Sequence, residues 1–305
     1  MSTVLAFRHI VVVWRGSFRG ENAEFAGRVM KFIKMQGLKN DYVFIDCFKE
    51  KVLNPESLAV KISDRRSGVG GDGLILITPS KLADAGVRIF NADGSVAEMC
   101  GNGVRCAAKY LYDEKIVLKN RFKIETAGGI KEVSVYPVNG VVKTVAVDMG
   151  APDFSPEKVS LNSPASVIMR PFLFKGKKLY LTALSVGNPH AAVLTFDPQN
   201  TDPFAVKDFI TSSDLFLSEV NFEFYEILSD REINMRVIER GSGETYACGT
   251  GATAVSVAAG LIGGVDLKKG VTVNMKGGAV TVKKRGENYI LTGGAEYCFK
   301  GEYDG

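Results

Sequence analysis

At 305 residues the chain is long enough for two domains of ordinary size. Its 38 Lys and Arg nearly balance its 34 Asp and Glu, giving a formal charge of +4, and no cluster of five or more basic residues occurs, so no nucleic-acid partner is expected. Hydrophobic residues at 46% and charged residues at 24% fit a globular protein, and no apolar run approaches the roughly 20 residues that span a bilayer, so no membrane partner is expected either. The cysteines Cys47, Cys100, Cys106, Cys248 and Cys298 are odd in number and form no C-x-x-C pair. With only His9 and His190 beside them, they suit neither a disulfide framework nor a zinc cluster, and a reduced, cytoplasmic protein without a structural metal is the expectation.

In chain order, residues 1–29 come first. Val11-Val12-Val13-Trp14 is flanked by Arg8, Arg15 and Arg19, too short and interrupted for a secretory signal, while Glu21 and Glu24 argue against a transit peptide. We read this segment as an extension dispensable for the chemistry. Leu74 to Ile77 is a β-branched and Leu run that predicts a strand. Just before it, Gly68 to Gly73 (G-V-G-G-D-G) formally matches a dinucleotide fingerprint. These glycines lead into a strand instead of opening a helix, so nucleotide binding is set aside.

The next segment, Arg88 to Cys100, reads R-I-F-N-A-D-G-S-V-A-E-M-C, and Arg236 to Cys248 reads R-V-I-E-R-G-S-G-E-T-Y-A-C. Both open with Arg and two apolar residues, pass a Gly/Ser turn and end on Cys. C-G-N-G then follows the first and C-G-T-G the second, and a Gly-Gly pair recurs at Gly128 and Gly277. Such self-similarity marks an internal duplication. Val104 to Tyr112 and Ala252 to Ala259 read as helices, the second apolar nearly all round and hence buried. Short runs at Val145 to Val147, Val271 to Val273 and Val280 to Val282 predict strands. The expected fold is α/β: two pseudo-symmetric domains, each a curved, mostly antiparallel sheet around a central helix. Asp148 to Pro152, D-M-G-A-P, gives the turn-rich boundary between a domain carrying Cys100 (30–148) and one carrying Cys248 (149–293).

Each cysteine stands just before a Gly-x-Gly that opens its helix. There, unpaired backbone N–H groups and the positive end of the helix dipole favour negative charge. A thiolate is stabilised at such a place, which predicts a lowered thiol pKa, and a carboxylate can be held by the same N–H groups. Inverting an α-carbon needs one base on one face and one acid on the other. A thiolate and a thiol on opposite sides can fill both roles and exchange them with the direction of reaction. The pattern therefore points to a cofactor-independent amino-acid racemase or epimerase. Cys47, Cys106 and Cys298, without matched flanks, are read as small hydrophobic residues.

At these residues the sequence resembles the diaminopimelate epimerase family over residues 30–305. The matching motifs are Lys34 to Asp41 (K-M-Q-G-L-K-N-D), Phe90 to Ser95 (F-N-A-D-G-S), Met99 to Gly103 (M-C-G-N-G), Gly187 to His190 (G-N-P-H) and Glu239 to Gly251 (E-R-G-S-G-E-T-Y-A-C-G-T-G). The resemblance implies an epimerase interconverting LL- and meso-diaminopimelate, in lysine and peptidoglycan synthesis, with no pyridoxal phosphate or other cofactor. It implies a cytoplasmic homodimer acting on a small amino acid, and a C-terminal segment, 294–305, that returns to the first domain. Carried over by position, Cys100 and Cys248 are the acid/base pair. Asn40, Asn91, Asn188, Asn221, Glu239 and Arg240 match substrate-binding positions, the backbone amides of Gly101, Asn102, Gly249 and Thr250 match the α-carboxylate cradle, and His190 and Gly73 line the site. The chain departs from the family at Gln36 (often His), Lys39 (often Gly) and Gly73 (in many members a Gln that touches substrate).

Other readings compete. A racemase of the histidine or proline type shares the paired-cysteine logic, although the proline type carries His where this chain has Asn102. A thiol hydrolase using one Cys with His190 leaves the second Cys unexplained. A non-catalytic amino-acid-binding protein of the same ancestry would bind without exchanging the α-proton.

Overall fold

The computed structural model describes residues 11–13, 29–198 and 200–304; most of the N-terminal extension read from the sequence lies outside them. The first series of elements is β1 (Val11–Val13), β2 (Val29–Gly37), β3 (Asn40–Asp46), α1 (Pro55–Ser63), β4 (Gly73–Thr78), β5 (Ala85–Asn91) and β6 (Val96–Ala97). It continues with α2 (Gly101–Asp113), β7 (Arg121–Thr126), β8 (Gly129–Val138) and β9 (Val141–Asp148). The second series is β10 (Arg170–Phe174), β11 (Lys177–Ser185), β12 (Pro189–Leu194), α3 (Pro203–Thr211), β13 (Asn221–Ser229), β14 (Glu232–Glu239) and β15 (Gly243–Thr245). After it come α4 (Gly249–Leu261), β16 (Val271–Met275), β17 (Gly278–Arg285), β18 (Asn288–Gly294) and β19 (Glu296–Asp304).

The duplication read from the cysteine flanks extends through both series. From β2 to β5 the pairings run antiparallel, parallel, antiparallel; β5 pairs β7 in parallel, and β7, β8 and β9 follow antiparallel. From β11 to β14, and on through β16, β17 and β18, the same order of directions repeats. Parallel neighbours require a crossover, and helices supply it: α1 and α3 link the first parallel pair of each half, α2 and α4 the second. β9 pairs with β18 and joins the two halves, while β19 returns to pair with β2, as β10 pairs with β11. β1 pairs in parallel with the other edge of β19, from Lys300 to Glu302.

Both central helices are enclosed. α4 carries no charged residue and is buried from Gly249 to Ala259. α2 is buried from Gly101 to Leu111 although it contains Arg105 and Lys109. Lys109 is tolerated because its ammonium pairs with Asp113 at 2.8 Å and donates to the Val142 carbonyl at 2.6 Å. Val104, Ala107 and Leu111 of α2 and Ala252, Val255 and Ala258 of α4 belong to one continuous core with strand residues Phe44, Ile75, Val145, Val237 and Val273. Fully burying a side chain of Leu111's size contributes about 1.5–3 kcal/mol.

The glycine-rich stretch that imitated a dinucleotide fingerprint is a connector from α1 into β4. Gly68 packs so tightly that an added Cβ would lie 2.3 Å from the Lys61 carbonyl oxygen and 2.8 Å from that of Ile62. Backbone atoms cannot swing aside, so Gly68→Ala is expected to lower the unfolding free energy by about 2 kcal/mol or more; urea denaturation of the variant against the parent protein measures it.

Candidate active site

The two helix starts face one another. A Cβ built on Gly101 would lie 3.8 Å from the Gly249 Cα, and one built on Gly249 would lie 3.7 Å from the Gly101 Cα. An added methyl group at either place would fill the gap to the opposing backbone. The second glycine of each C-G-x-G is required by packing beneath the helix. A Cβ at Gly103 would meet Ile75 Cδ1 at 2.5 Å, and one at Gly251 would meet Glu223 Oε1 at 2.7 Å.

Each cysteine is the N-cap of its own helix, in extended conformation. Gly103 N–H donates to Cys100 Sγ at 3.3 Å and Gly251 N–H donates to Cys248 Sγ at 3.4 Å. The sulfur therefore replaces the oxygen of an ordinary cap. The amides of Gly101 and Asn102, and those of Gly249 and Thr250, sit in first helical turns, whose N–H groups have no partner within the helix. Each half thus offers a thiol and a pair of anion-binding amides, converging where the glycines meet.

The expected lowering of the thiol pKa is not what this environment produces. Burial pushes both thiols up, overriding the helix start: Cys100 is raised in spite of the Gly103 amide, and Cys248 is raised well above the ordinary thiol range by burial, then by Glu239 and Glu223. Desolvation disfavours a buried anion more than one capping N–H favours it. The consequence is chemical, because a thiolate of raised pKa is a stronger base for a weakly acidic carbon.

The residues singled out by sequence gather unevenly. Asn40 accepts from Cys100 Sγ at 3.5 Å and from Asn102 Nδ2 at 3.1 Å, and donates to Asp72 at 2.6 Å. Asn102 also donates to the carbonyl of Ala247, the residue before Cys248, at 3.2 Å and so ties the halves together. Asn188 Oδ1 lies 2.9 Å from His190 Nε2. Asn221 is buried and accepts the Arg240 backbone N–H at 2.8 Å. Glu239 accepts a hydrogen bond from Thr245 and lies near Cys248, and burial raises its carboxyl. Thr250 Oγ1 is 3.3 Å from Cys248 Sγ. Asn91, half-buried at the end of β5, donates to Ser95 Oγ at 2.9 Å. The Arg240 side chain is exposed and makes no ion pair among the described residues. Gly73, opposite Tyr42 and Asn91 in the sheet, has no room for a side chain, because a Cβ there would lie 2.1 Å from the Phe90 carbonyl oxygen.

Three residues were not found by sequence. Glu223 is fully buried and its Oε1 lies 2.7 Å from His190 Nδ1, which fixes the ring. A Glu set between Phe222 and Phe224 in β13 was the available signal. Arg105 is fully buried beneath the helix starts, donating to Asn102 Oδ1 at 2.8 Å and to the Gly294 carbonyl at 3.2 Å, and its Nη1 has no hydrogen-bond partner. Tyr42 packs against Gly73 and reaches Cys100.

Comparisons with known proteins agree with this architecture. The family described as diaminopimelate epimerase matches residues 32–155 and 182–298, one match for each half. A diaminopimelate epimerase of Acetivibrio thermocellus is 43% identical over 281 residues, covering 90% of this chain and 99% of that relative. One of Methanococcus maripaludis (strain C6) is 42% identical over 278 residues, covering 90% and 100%. Among solved structures, a phenazine biosynthesis protein of the PhzF family from Bacillus anthracis superposes with TM-score 0.66 at 15% identity, covering 91% of this chain and 99% of that one. A hydroxyproline epimerase from Agrobacterium vitis gives TM-score 0.64 at 14% identity, covering 92% of each. The distant structures share the fold, and the close sequences match along nearly their whole length: this chain belongs to the diaminopimelate epimerase family.

Proposed function

We propose that this protein interconverts LL- and meso-diaminopimelate by two-base proton transfer, with Cys100 and Cys248 as the acid/base pair. The observation that carries this reading is the pair of thiol-capped helix starts meeting at Gly101 and Gly249. A carboxylate placed there would receive the amides of Gly101, Asn102, Gly249 and Thr250, and its α-carbon would stand between the two sulfurs. One thiolate takes the α-proton, the electron pair delocalises into the amide-bound carboxylate, and the opposite thiol delivers a proton to the other face. In the reverse direction the roles exchange. Enclosure of the site strengthens the amide contacts and keeps water from the carbanion.

The substrate is a diamino-dicarboxylate, so one end reacts and the other must be recognised. The exposed guanidinium of Arg240, free of intramolecular ion pairs among the described residues, suits the distal carboxylate bidentately. Asn40, Asn91, Asn188 and Asn221 offer donors and acceptors together, which suits an ammonium and a carboxylate on one carbon. Family membership supports a homodimer, and five free cysteines suit the reducing cytoplasm.

Two outcomes are expected. In D₂O the protein should convert LL-diaminopimelate with one solvent deuteron at the inverted carbon, read by mass spectrometry. Cys100→Ala and Cys248→Ala should each lower turnover by about 10³-fold or more. Activity surviving in either variant, or product without deuterium, rejects the two-thiol scheme; turnover of proline or histidine with none of diaminopimelate favours the related racemases. Mild oxidation should inactivate the enzyme by joining Cys100 to Cys248, reversibly with a dithiol; inactive protein whose mass map leaves both thiols free would contradict it.

A further inference from the structure

A constant offset of 148 residues relates the two halves across the site, as in Asn40 and Asn188, Gly73 and Asn221, and Cys100 and Cys248. The sheet registers bear it out: Tyr42 stands opposite Gly73 between β3 and β4, as His190 stands opposite Asn221 between β12 and β13. Tyr42 is therefore the structural twin of His190. The twins differ in their surroundings. His190 is held by Glu223, but the position equivalent to Glu223 in the first half is Ile75, so no carboxylate faces Tyr42 from β4.

Space for the tyrosine comes from Gly73. A Cβ at that position would meet Tyr42 Cε1 at 2.9 Å, so the phenol ring fills the volume that a side chain on β4 would claim. The ring is buried, and its hydroxyl lies close enough to the Cys100 thiol for the two groups to act on one another. We propose that Tyr42 is a catalytic residue of the Cys100 half, donating its hydroxyl proton in a hydrogen bond that steadies the Cys100 thiolate as it forms, when Cys100 acts as the acid and gives its proton to the α-carbon. The claim rests on the reading of Cys100 as a reacting thiol.

The direction of the hydrogen bond follows from chemistry. Burial, followed by the neighbouring Cys100, pushes the phenol well above its ordinary range, so it stays protonated and available as a donor. The other charged groups acting on this pair are Asp72, before β4, and Glu239, from the second half, both opposing an anion, and Arg105, on α2, favouring one. On the other side Cys248 stands near the carboxyl of Glu239. One sulfur thus receives a proton-bearing partner and the other faces an acceptor. No atom is lost or gained: in the step the Cys100 thiol proton passes to the α-carbon carbanion, the thiolate is left behind, and the tyrosine proton stays on its oxygen.

Tyr42→Phe keeps the ring that packs on Gly73 and removes only the donor. It should lower kcat about tenfold to a hundredfold in the direction in which Cys100 is the acid, with KM within about twofold, since the bond strengthens as the thiolate forms. It should also raise the pH midpoint of Cys100 alkylation by iodoacetamide, mapped by mass spectrometry, by about one unit. The exposed Cys298 is the internal control, and its midpoint should not move. Tyr42→His, which installs the twin's ring with its N–H donor, should recover part of both effects and supplies the test if the Phe variant fails to fold. Parental kcat together with an unmoved Cys100 midpoint in a folded Tyr42→Phe protein overturns the proposal. Should Cys100→Ala retain activity, the two-thiol reading fails instead, and the two failures are told apart.

Discussion

The whole arrangement depends on how closely two backbones can approach. Helices α2 and α4 begin nose to nose, with Gly101 and Gly249 so close that a methyl group added to either would touch the other. Like ends of two helix dipoles repel, and their first-turn amides are left without partners. Such an approach is sustained only because packing elsewhere enforces it: the sheets wrap each helix on nearly all sides, and Gly103 and Gly251 press each first turn onto a strand. The unfavourable convergence of positive ends is at the same time the reason an anion would be welcome there.

Arg105 sharpens that point. A guanidinium beneath two helix starts, with one terminal nitrogen unpartnered and hydrogen bonds only to Asn102 and the Gly294 carbonyl, is a costly charge to enclose. Removing it would release Asn102, which reaches across to the Ala247 carbonyl and so fixes one cysteine's approach to the other half. Three glycines make room for it: Cβ atoms at Gly37, Gly249 and Gly293 would lie 3.2, 3.8 and 3.1 Å from its guanidinium atoms. The positive charge complements a bound carboxylate and a thiolate, and it shows that the electrostatics of the site come from the core beneath it as well as from its lining.

Much of this was legible in the sequence because duplication doubles every signal. The matched approaches to Cys100 and Cys248 disclosed two halves, two buried helices and a pair of thiols, and strands at Leu74 to Ile77 and Val271 to Val273 followed from β-branched runs. The thiol pKa was misjudged because a helix start is visible in sequence and the depth of burial is not. Tyr42 and Glu223 were missed for a related reason. Each lies in an apolar strand far along the chain from its cysteine, and only the parallel registers of β3 with β4 and β12 with β13 bring it there. Gly73 is instructive in the opposite sense: its departure from the family pattern was plain, but that a neighbouring ring occupies the vacant space could be learned only from packing.

From Asn40 to Cys100 and from Asn188 to Cys248 the two halves have kept step without a single net insertion. Backbone geometry was copied, while the side chains at equivalent places drifted apart: phenol against imidazole at Tyr42 and His190, hydrocarbon against carboxylate at Ile75 and Glu223, amide against carboxylate at Asn91 and Glu239. A repeated scaffold has thereby become an asymmetric environment. Selection could retune how one face of a stereocentre is met by point substitution alone, leaving the opposite face where it was.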